Sequence, residues 1–493
     1  MDLKNLGVNI LGYGLTNQAV VRLLNLCGLT CHIYDDAFNH KKRFDSMNTY
    51  HSLATLESSP AKTISLLSPG IAPSTPSLKA FSYLLSDYDL VYFLLQEGLL
   101  DSNPFSVWIS GTNGKTTTTE MSARLLDAKA AGNIGRPLAD LLASYLDLST
   151  DSLAPSHKDK LLGALASLSS RHSSDNYLLP VMPCAISPKT PPSIIWILET
   201  SSFSLHWTRF ALPNLYILLP LRPDHISWHG GYEEYVKAKL DPLVRMNASS
   251  NLASHCALLP KDLLKDKVAK DIIASCKARI FLYEDSSHLW DSFDLPMDLK
   301  DSFMEPFRLD LALSLAGARF ANLSPKPSRL EGYEIGAYRM QQKTYKGICF
   351  VNDSKATNPS AAIAALQAFS TKDIYLLLGG DAKGASLESL YDYCAGLESL
   401  RVFSLGQEGA AICKACIARG IDAKNFKNLE EAMTAISNTL EGRDSKAIKN
   451  AVVLLSPACA SLDQFSSYKE RGEAFDTLIE KLFSWLDSKN ERN

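Results

Sequence analysis

The feature that most constrains this chain is the stretch at residues 110–117, which reads SGTNGKTT. It follows a short β-favouring run and precedes a segment with helical spacing. A strand, a glycine-containing loop and a helix in this order bind anions, because the loop N–H groups and the positive helix end face the same point. We therefore predict a nucleotide-phosphate site in which Lys115 reaches the terminal phosphates and the Thr116 hydroxyl holds Mg²⁺. The alternative is a glycine-containing turn with an exposed lysine, since only two residues separate Gly111 from Gly114 where the usual motif has four.

Length and charge limit the class of protein. A chain of 493 residues exceeds what one hydrophobic core usually organises, so we expect two or three domains. The net charge of −3 gives no support for wholesale binding to nucleic acid or a membrane surface. No apolar run approaches the ~20 residues that span a bilayer, and the N-terminus lacks a secretory signal. Ten cysteines, scattered except for Cys413 and Cys416, fit buried thiols in a reducing compartment better than a metal or redox site. We expect a cytoplasmic protein with no nucleic-acid or membrane partner.

The N-terminal segment is typical of a dinucleotide-binding unit. An apolar strand at 8–11 leads into a Gly-x-Gly turn and a helix, and a second strand at 30–34 ends at Asp35. An acid after the second strand is placed for a ribose or a base. The third glycine of the motif is missing, with Asn17 or Ala19 in that neighbourhood, so a purely structural turn stays open.

Polar side chains follow several apolar strands farther along the chain. Glu199 follows the run at 194–198, where a Mg²⁺ ligand belongs, although a carboxylate capping the next turn is the alternative. His225 follows another strand and is either a ligand or an ordinary histidine. The helix that begins near residue 232 places Tyr235 and Lys239 on one face, and the pattern alone indicates a solvated lysine. Such strand ends predict a parallel sheet with its ligands at the C-terminal edge.

Seven short segments together resemble the Mur ligases of peptidoglycan synthesis. They are GTNGKTT at 111–117, ETSSF at 199–203, DHIS at 224–227, YVKAK at 235–239, NDSKATNP at 352–359, GGDAK at 379–383 and SPACASLDQF at 456–465. Within that family, the last three resemble the member that adds D-glutamate. The resemblance covers almost the whole chain in the right order; only residues of about 150–192 lack a counterpart, and we expect them to form a surface insertion.

The resemblance implies an α/β fold with three domains. These are a Rossmann-like N-terminal domain at 1–102 that binds the UDP substrate, a central P-loop ATPase-like parallel-sheet domain at 103–333, and a Rossmann-like C-terminal domain at 334–493 that binds the incoming amino acid. The implied reaction is ATP-dependent: ATP phosphorylates the alanyl carboxylate of UDP-N-acetylmuramoyl-L-alanine, and the amine of D-glutamate attacks the acyl phosphate. Two Mg²⁺ ions and a monomeric enzyme are expected.

The resemblance also implies roles for individual residues. The catalytic residues would be Lys115, Glu199, His225 and Lys239. ATP would be held by Gly111, Thr112, Asn113, Gly114, Lys115, Thr116, Thr117, Arg339, Asp353 and Lys355. Mg²⁺ would be held by Thr116, Glu199, His225 and Lys239, the lysine as a carbamate. The UDP substrate would contact Leu15, Thr16, Asp35, Gly70, Asn133 and His225. D-Glutamate would contact Thr357, Lys383, Ser461 and Tyr468.

Some positions depart from the family pattern. Pro220 and Ser227 replace an asparagine and an aspartate around His225, and Tyr338 stands where a histidine is usual. The segment at 307–311 offers no match for the asparagine that holds adenine. We expect an active enzyme with altered peripheral contacts. The alternatives are another amino-acid ligase of the same superfamily, such as a folylpolyglutamate synthase, and a catalytically silent nucleotide-binding protein.

Overall fold

A computed structural model describes residues 7–38, 43–55, 64–80, 84–146, 148–149, 152–172, 192–345, 347–441 and 443–484. The chain divides into two compact units, one of Met1–Phe303 with Phe307–Glu331 and the other of Met304–Pro306 with Gly332–Asn493. The division predicted at residue 102 falls inside the first unit, and the limits of the three predicted domains stay predictions.

The first unit begins with a five-stranded sheet in the order β3-β4-β2-β1-β5. Its strands are β1 (Val8–Leu11), β2 (Cys31–Tyr34), β3 (Arg43–Phe44), β4 (Thr49–His51) and β5 (Ile64–Leu67). Only the short pair β3–β4 is antiparallel among these pairings. β1 and β5 are buried along their whole length, as expected for parallel strands that are covered on both faces.

The second sheet of the first unit is six-stranded and parallel throughout, in the order β13-β12-β11-β6-β10-β7. Its strands are β6 (Phe105–Ser110), β7 (Lys129–Gly132), β10 (Ile195–Glu199), β11 (Leu215–Leu218), β12 (Cys256–Pro260) and β13 (Arg279–Tyr283), while β8 (Leu148–Ser149) and β9 (Ser152–Leu153) form a separate hairpin. In the pairing of β6 with β10, Ile109 lies opposite Glu199. The carboxylate therefore lies beside the start of the glycine loop.

Helices connect these strands. They are α1 (Leu15–Leu26), α2 (Asp87–Gln96), α3 (Lys115–Leu125), α4 (Leu138–Ala143), α5 (Pro155–His172), α6 (Ser202–Trp207), α7 (Ile226–His229), α8 (Tyr232–Met246), α9 (Lys267–Ser275), α10 (Ser286–Ser292) and α11 (Phe307–Phe320). One continuous hydrophobic cluster includes Val8 of the first sheet and Leu198 of the second, which explains why both sheets belong to one compact unit.

Helix α5 corrects part of the predicted surface insertion at 150–192. Leu161, Leu165 and Leu168 of this helix are buried and belong to the main hydrophobic cluster. Their spacing of four and three residues forms one apolar stripe, which the abundance of polar residues in the segment obscured. The first half is therefore part of the core, whereas residues 173–191 lie outside the described residues.

The second unit contains a six-stranded sheet in the order β14-β15-β19-β16-β17-β18, parallel except for the β14–β15 pair. Its strands are β14 (Gln341–Tyr345), β15 (Ile348–Asn352), β16 (Asp373–Gly379), β17 (Leu400–Leu405), β18 (Asp422–Phe426) and β19 (Ala451–Ala458). Its helices are α12 (Pro359–Ala368), α13 (Glu388–Ala395), α14 (Gly409–Ala418), α15 (Leu429–Glu441), α16 (Ser445–Asn450) and α17 (Tyr468–Leu482). The predicted α/β class with parallel-sheet domains is confirmed. Within the described residues, no helix is both long and apolar enough to cross a membrane.

Candidate functional site

The glycine loop joins β6 to α3 as predicted. Gly114 precedes the first helical residue with a φ of +83°. A Cβ at this position would lie 2.4 Å from Asp310 Oδ1, and a Cβ at Gly111 would lie 2.6 Å from Leu219 Cβ. Both glycines are thus required by close packing, and Gly114 also by its left-handed backbone. The Lys115 Nζ donates to the carbonyl oxygens of Gly111 at 3.1 Å and Thr112 at 2.7 Å, so the lysine curls over the loop rather than pointing away from it.

Asp310 lies beneath this loop and was not identified from the sequence. It is buried on α11 and accepts a hydrogen bond from the Thr118 hydroxyl at 2.9 Å. The residue falls in the segment for which the family pattern offered no match. Its contact with α3 places a carboxylate close to the positive end of that helix, where negative charge is favourable.

Glu199 is the last residue of β10, and its side chain is 2 % exposed. Its Oε1 accepts a hydrogen bond from Asn133 Nδ2 at 2.9 Å. Its Oε2 is buried and has no hydrogen-bond partner among the described residues. A buried carboxylate oxygen without a partner is costly unless a cation or a donor completes it. The partnerless oxygen therefore favours a metal ligand over a turn cap.

Lys239 of α8 is 1 % exposed, so the interpretation of a solvated lysine was wrong. Its Nζ donates to Ser110 Oγ at 2.9 Å and to the Gly111 carbonyl oxygen at 3.0 Å. Burial, assisted by the positive charge of Lys115, holds the pKa of Lys239 well below its ordinary value. Two donated hydrogen bonds use both hydrogens of a neutral amine and leave its lone pair available for reaction. The predicted shared face of Tyr235 and Lys239 is observed, with Nζ 5.6 Å from the ring centroid.

His225 lies between β11 and α7 with a φ of +53°. Its ring is 4.7 Å from the Phe203 ring, and its Nε2 is 3.5 Å from Asp224 Oδ2. The side chain is 53 % exposed and accessible to a ligand. No cluster of three or more histidine, cysteine, aspartate or glutamate side chains fit to hold a metal occurs in the described ranges.

A cavity of about 430 Å³ lies within the first unit, between the edges of its two sheets. Four of the predicted UDP-substrate residues line it, namely Leu15, Thr16, Gly70 and Asn133. Trp228 Nε1 donates to the Gly70 carbonyl oxygen at 3.1 Å, and Trp207 Nε1 donates to that of Ile71 at 3.0 Å. These bonds tie the segment after β5 to α6 and α7. Neither tryptophan was identified from the sequence.

Asp35 and His225 are not among the residues that line this cavity. Asp35 Oδ2 accepts from the Tyr13 backbone N–H at 2.6 Å, which ties β2 to the Gly-x-Gly turn. Asn17, near the position of the missing glycine, is buried and donates to the carbonyl oxygens of Leu11 at 3.1 Å and Gly12 at 2.8 Å. The asparagine thus stabilises the turn through side-chain hydrogen bonds.

In the second unit, Asp353 follows β15 and is buried. Its Oδ1 accepts from the Met340 backbone N–H at 3.1 Å, and its Oδ2 accepts from Ser456 Oγ at 2.7 Å. Burial raises the pKa of Asp353 to about 7. Both oxygens are used within the protein, so a role in holding ATP stays a prediction.

Arg471 of α17 is a second buried cation and was not identified from the sequence. It is 1 % exposed and donates to Ser354 Oγ at 3.0 Å, to the Ser354 carbonyl oxygen at 2.9 Å and to the Cys459 carbonyl oxygen at 3.1 Å. Burial lowers the pKa of Arg471 to about 10. The guanidinium fastens α17 to the ends of β15 and β19, the strands that carry the predicted amino-acid site.

The remaining predicted residues of the second unit differ in exposure. Lys355 Nζ lies 5.2 Å from the centroid of the Tyr468 ring, so these two are neighbours. Ser461 is buried, whereas Thr357 and Lys383 are exposed. Lys383 has a φ of +49°, and its N–H donates to Asp381 Oδ1 at 2.8 Å.

The structure shows contacts for two of the three residues that depart from the family pattern. The ring of Tyr338 packs against Gly472, where an added Cβ would lie 2.3 Å from Tyr338 Cδ1. The Pro220 carbonyl oxygen accepts from the Thr112 N–H at 3.4 Å. Nothing in the structure explains Ser227.

Arg339 lies close to Gly336, where an added Cβ would be 2.5 Å from a guanidinium nitrogen of Arg339. The role of Arg339 toward ATP stays a prediction.

Comparison with known families matches two parts of the chain. Residues 109–291 match the Mur ligase middle domain, and residues 338–459 match the Mur ligase glutamate ligase domain. A UDP-N-acetylmuramoylalanine–D-glutamate ligase of Campylobacter jejuni is 33 % identical over 480 residues, covering 96 % of this chain and 100 % of the relative. A protein of the same name from Helicobacter pylori is 30 % identical over 489 residues, covering 96 % of this chain and 99 % of the relative.

Among solved structures, MurF from Acinetobacter baumannii is similar in fold. It is 14 % identical, with a TM-score of 0.50 over 92 % of this chain and 85 % of the MurF chain. At this identity the similarity concerns the fold alone.

Proposed function

The chain belongs to the Mur ligase family, and from that premise we propose that it joins D-glutamate to UDP-N-acetylmuramoyl-L-alanine at the expense of ATP, in the cytoplasmic synthesis of peptidoglycan precursors. Relatives of that name align with nearly the full length of the chain. The NDSKATNP and SPACASLDQF segments support this acceptor over that of another ligase of the superfamily.

One observation carries the proposal. The glycine loop has Glu199 beside it and Lys239 beneath it, and Lys239 donates hydrogen bonds to loop atoms. A phosphate-binding loop, a carboxylate with an uncommitted oxygen and a neutral amine thus lie at one sheet edge. Phosphoryl transfer needs N–H donors and bound metal ions to neutralise the developing negative charge, and the carboxylate would help to hold such an ion next to the loop.

The proposed reaction has two steps. The alanyl carboxylate attacks the γ-phosphorus of ATP, which releases ADP and converts a poor electrophile into an acyl phosphate. The D-glutamate amine then attacks the acyl carbon, and collapse of the tetrahedral intermediate expels phosphate and leaves an amide. Lys115 and the loop N–H groups from Gly111 to Thr117 would bind the phosphates throughout. Arg339, Asp353 and Lys355 would contribute to ATP binding from the second unit.

Two Mg²⁺ ions would be held by Thr116, Glu199, His225 and Lys239. When bound, they neutralise phosphate charge. The uncommitted Glu199 Oε2 supports this assignment. A neutral Lys239 amine would add CO₂ and lose a proton, and the resulting carbamate would supply anionic oxygen ligands.

The substrates would occupy separate sites. UDP-N-acetylmuramoyl-L-alanine would enter the cavity lined by Leu15, Thr16, Gly70 and Asn133, with Asp35 and His225 contributing. D-Glutamate would contact Thr357, Lys383, Ser461 and Tyr468, with the Lys383 ammonium as counter-charge to a carboxylate. We propose that the enzyme acts as a monomer.

The test offers D-glutamate, L-glutamate, L-alanine or meso-diaminopimelate together with UDP-N-acetylmuramoyl-L-alanine, ATP and Mg²⁺. Phosphate release and the new amide product are measured together. We expect D-glutamate to be preferred, with one phosphate released for each amide formed. Preference for another amino acid would support a different ligase of the superfamily. ATP binding without turnover would support the silent nucleotide-binding protein.

A further inference from the structure

The cavity proposed for the UDP substrate contains an unexpected carboxyl group. Asp87, the first residue of α2, lines this cavity and is 3 % exposed. The other described residues that line it are uncharged side chains and glycines. A lone buried carboxyl in a site meant for an anionic nucleotide requires an explanation, because like charge there opposes binding of the diphosphate.

Asp87 is not needed to cap its helix. Ser86 and Asp89 already form a complete capping box at the start of α2. The Asp87 carboxyl group accepts from the backbone N–H groups of Asp87 and Tyr88. Its Oδ1 nevertheless has no hydrogen-bond partner among the described residues. A buried acceptor without a partner is costly, so a donor from outside the protein is favoured at this atom.

The position of Asp87 indicates which part of a ligand it would meet. The hydroxyl of its neighbour Tyr88 donates to the Glu199 carbonyl oxygen at 3.3 Å, and the same hydroxyl lies against Gly132. Tyr88 thus reaches the end of β10, and Asp87, Gly132 and Asn133 line the same cavity. In the proposed function, the reacting carboxylate of the substrate lies on this side, near Glu199.

We propose that Asp87 is a specificity-determining residue whose Oδ1 accepts a hydrogen bond from an N–H or O–H group of the sugar–peptide part of the nucleotide-linked substrate. This inference rests on the proposed function. Burial raises the pKa of Asp87 to about 7, with a smaller contribution from the charge of Asp89, which reflects the poor solvation of the carboxylate. A donor from the substrate relieves that cost.

Two variants test the inference. In Asp87→Asn, the two backbone N–H groups hold the amide oxygen, so the NH₂ group faces the cavity and presents a donor where an acceptor is needed. Asp87→Ala removes the group altogether. Titration calorimetry measures the binding of UDP-N-acetylmuramoyl-L-alanine and of UDP alone to each full-length variant. Asp266→Ala is the matched control, because Asp266 caps α9 through the Ala269 N–H and does not line the cavity.

We expect both Asp87 variants to bind the full substrate about 10- to 100-fold more weakly, as for the loss of a hydrogen bond to a charged group. Binding of UDP alone should be unchanged. The Asp266→Ala control should lower the thermal midpoint without changing either affinity. Unchanged affinity for the full substrate in both variants would overturn the inference, as would an equal loss of affinity for UDP. Wild-type protein that binds UDP but not the full substrate would contradict the proposed function, and the inference with it.

Discussion

Two sheet edges each contain a buried carboxylate and a buried basic side chain. The central edge lies at the ends of β6 and β10 in the first unit, and the C-terminal edge lies at the ends of β15 and β19 in the second unit. At the central edge, Glu199 keeps one oxygen without a partner in the described residues, and the Lys239 side chain donates two hydrogen bonds. At the C-terminal edge, Asp353 has both oxygens hydrogen-bonded and Arg471 donates three bonds to two residues.

Burial has a different consequence for each basic side chain: it favours deprotonation of Lys239, whereas it fixes Arg471 in a network of hydrogen bonds. Burial holds the pKa of Lys239 well below its ordinary value, which favours the neutral amine, the form that can react. A guanidinium keeps its charge even when its pKa falls to about 10, so Arg471 can only be stabilised by the carbonyl groups around it. We therefore expect substitutions at the central edge to reduce activity and substitutions at the C-terminal edge to reduce stability.

Glu199→Gln should produce the largest effect. The amide retains an oxygen for Asn133, but it cannot bind a cation through the position of Oε2. We expect kcat/KM to fall about 10³-fold, since transition-state charge loses its counter-ion, while the thermal midpoint changes little. Phosphate release measures kcat/KM, and differential scanning fluorimetry measures the thermal midpoint. Glu284→Gln is the control, because that carboxylate is exposed and pairs with Lys261. Comparable activity in both variants would refute the metal assignment.

Lys239→Ala should produce the second-largest effect. We expect activity to fall at least about 100-fold if a carbamate supplies a metal ligand. Formate or acetate should restore part of the activity by occupying the space of the lost carboxylate. Lys237→Ala, on the same helix, is the control, because Lys237 is exposed and pairs with Glu233 and Glu234. Absence of rescue, with the fold intact, would argue against carbamylation.

Arg471→Ala should act on stability. Removing the guanidinium leaves the carbonyl groups of Ser354 and Cys459 buried without donors, which costs about 3 kcal/mol. We expect a clear drop in the thermal midpoint of the full-length chain. Arg419→Ala removes a surface arginine that pairs with Glu388 and Asp392, and it should lower the thermal midpoint much less, because solvent screens these ion pairs. Equal effects of the two substitutions would show that the buried network is not what stabilises this edge.

Asp353→Asn should have the smallest effect, and the effect should depend on pH. Because the pKa of Asp353 is raised in the folded state, its stabilising contribution is complete below an ordinary pKa of about 4 and is lost as the pH rises through about 7. The asparagine of the variant does not titrate, so it loses no stability as the pH rises. Its oxygen can accept from Met340 and its NH₂ can donate to Ser456. Because one pKa unit corresponds to about 1.4 kcal/mol, the variant should therefore gain roughly 2 kcal/mol relative to wild type between pH 5 and pH 8.

Thermal midpoints across that range measure the difference between variant and wild type. Asp373→Asn is a control in which the pKa shift has the opposite sign, because hydrogen bonds from Ser399 and Asn450 lower the pKa of Asp373. The stabilisation from Asp373 is present above its ordinary pKa and lost below it, so this variant should gain nothing as the pH rises. A pH-independent difference for Asp353→Asn would contradict the raised pKa.

Much of the fold could be predicted from local patterns. The glycine loop between β6 and α3 was predicted because an apolar strand, a loop and a helical period follow one another within about twenty residues of chain. Glu199 was predicted at a strand end because continuous apolar runs form buried parallel strands whose C-terminal ends share one edge. The structure confirms both elements, and the roles of the side chains stay predictions.

Other parts were missed, although the sequence held a signal for some of them. In α8, Lys239 lies four residues after Tyr235 and four before Leu243, both buried. In α17, Arg471 lies four residues before Phe475 on the same kind of stripe. The position of each basic residue on the apolar face of its helix therefore indicated that the side chain is buried. Asp87 offered no such sign, because an acidic residue in the first turn of a helix is usually exposed.

The sequence by itself determined most of the strands and helices, the position of the glycine loop between a strand and a helix, and the family that the chain resembles, since these depend on residues close together in the chain. Only the tertiary structure decided which charged groups lose contact with water and which of them the protein satisfies. Burial depends on what packs against a residue from distant parts of the chain, as Ser110 does against Lys239. Neighbours from distant parts of the chain therefore decide how strongly a buried charged group is destabilised and how many hydrogen bonds it keeps.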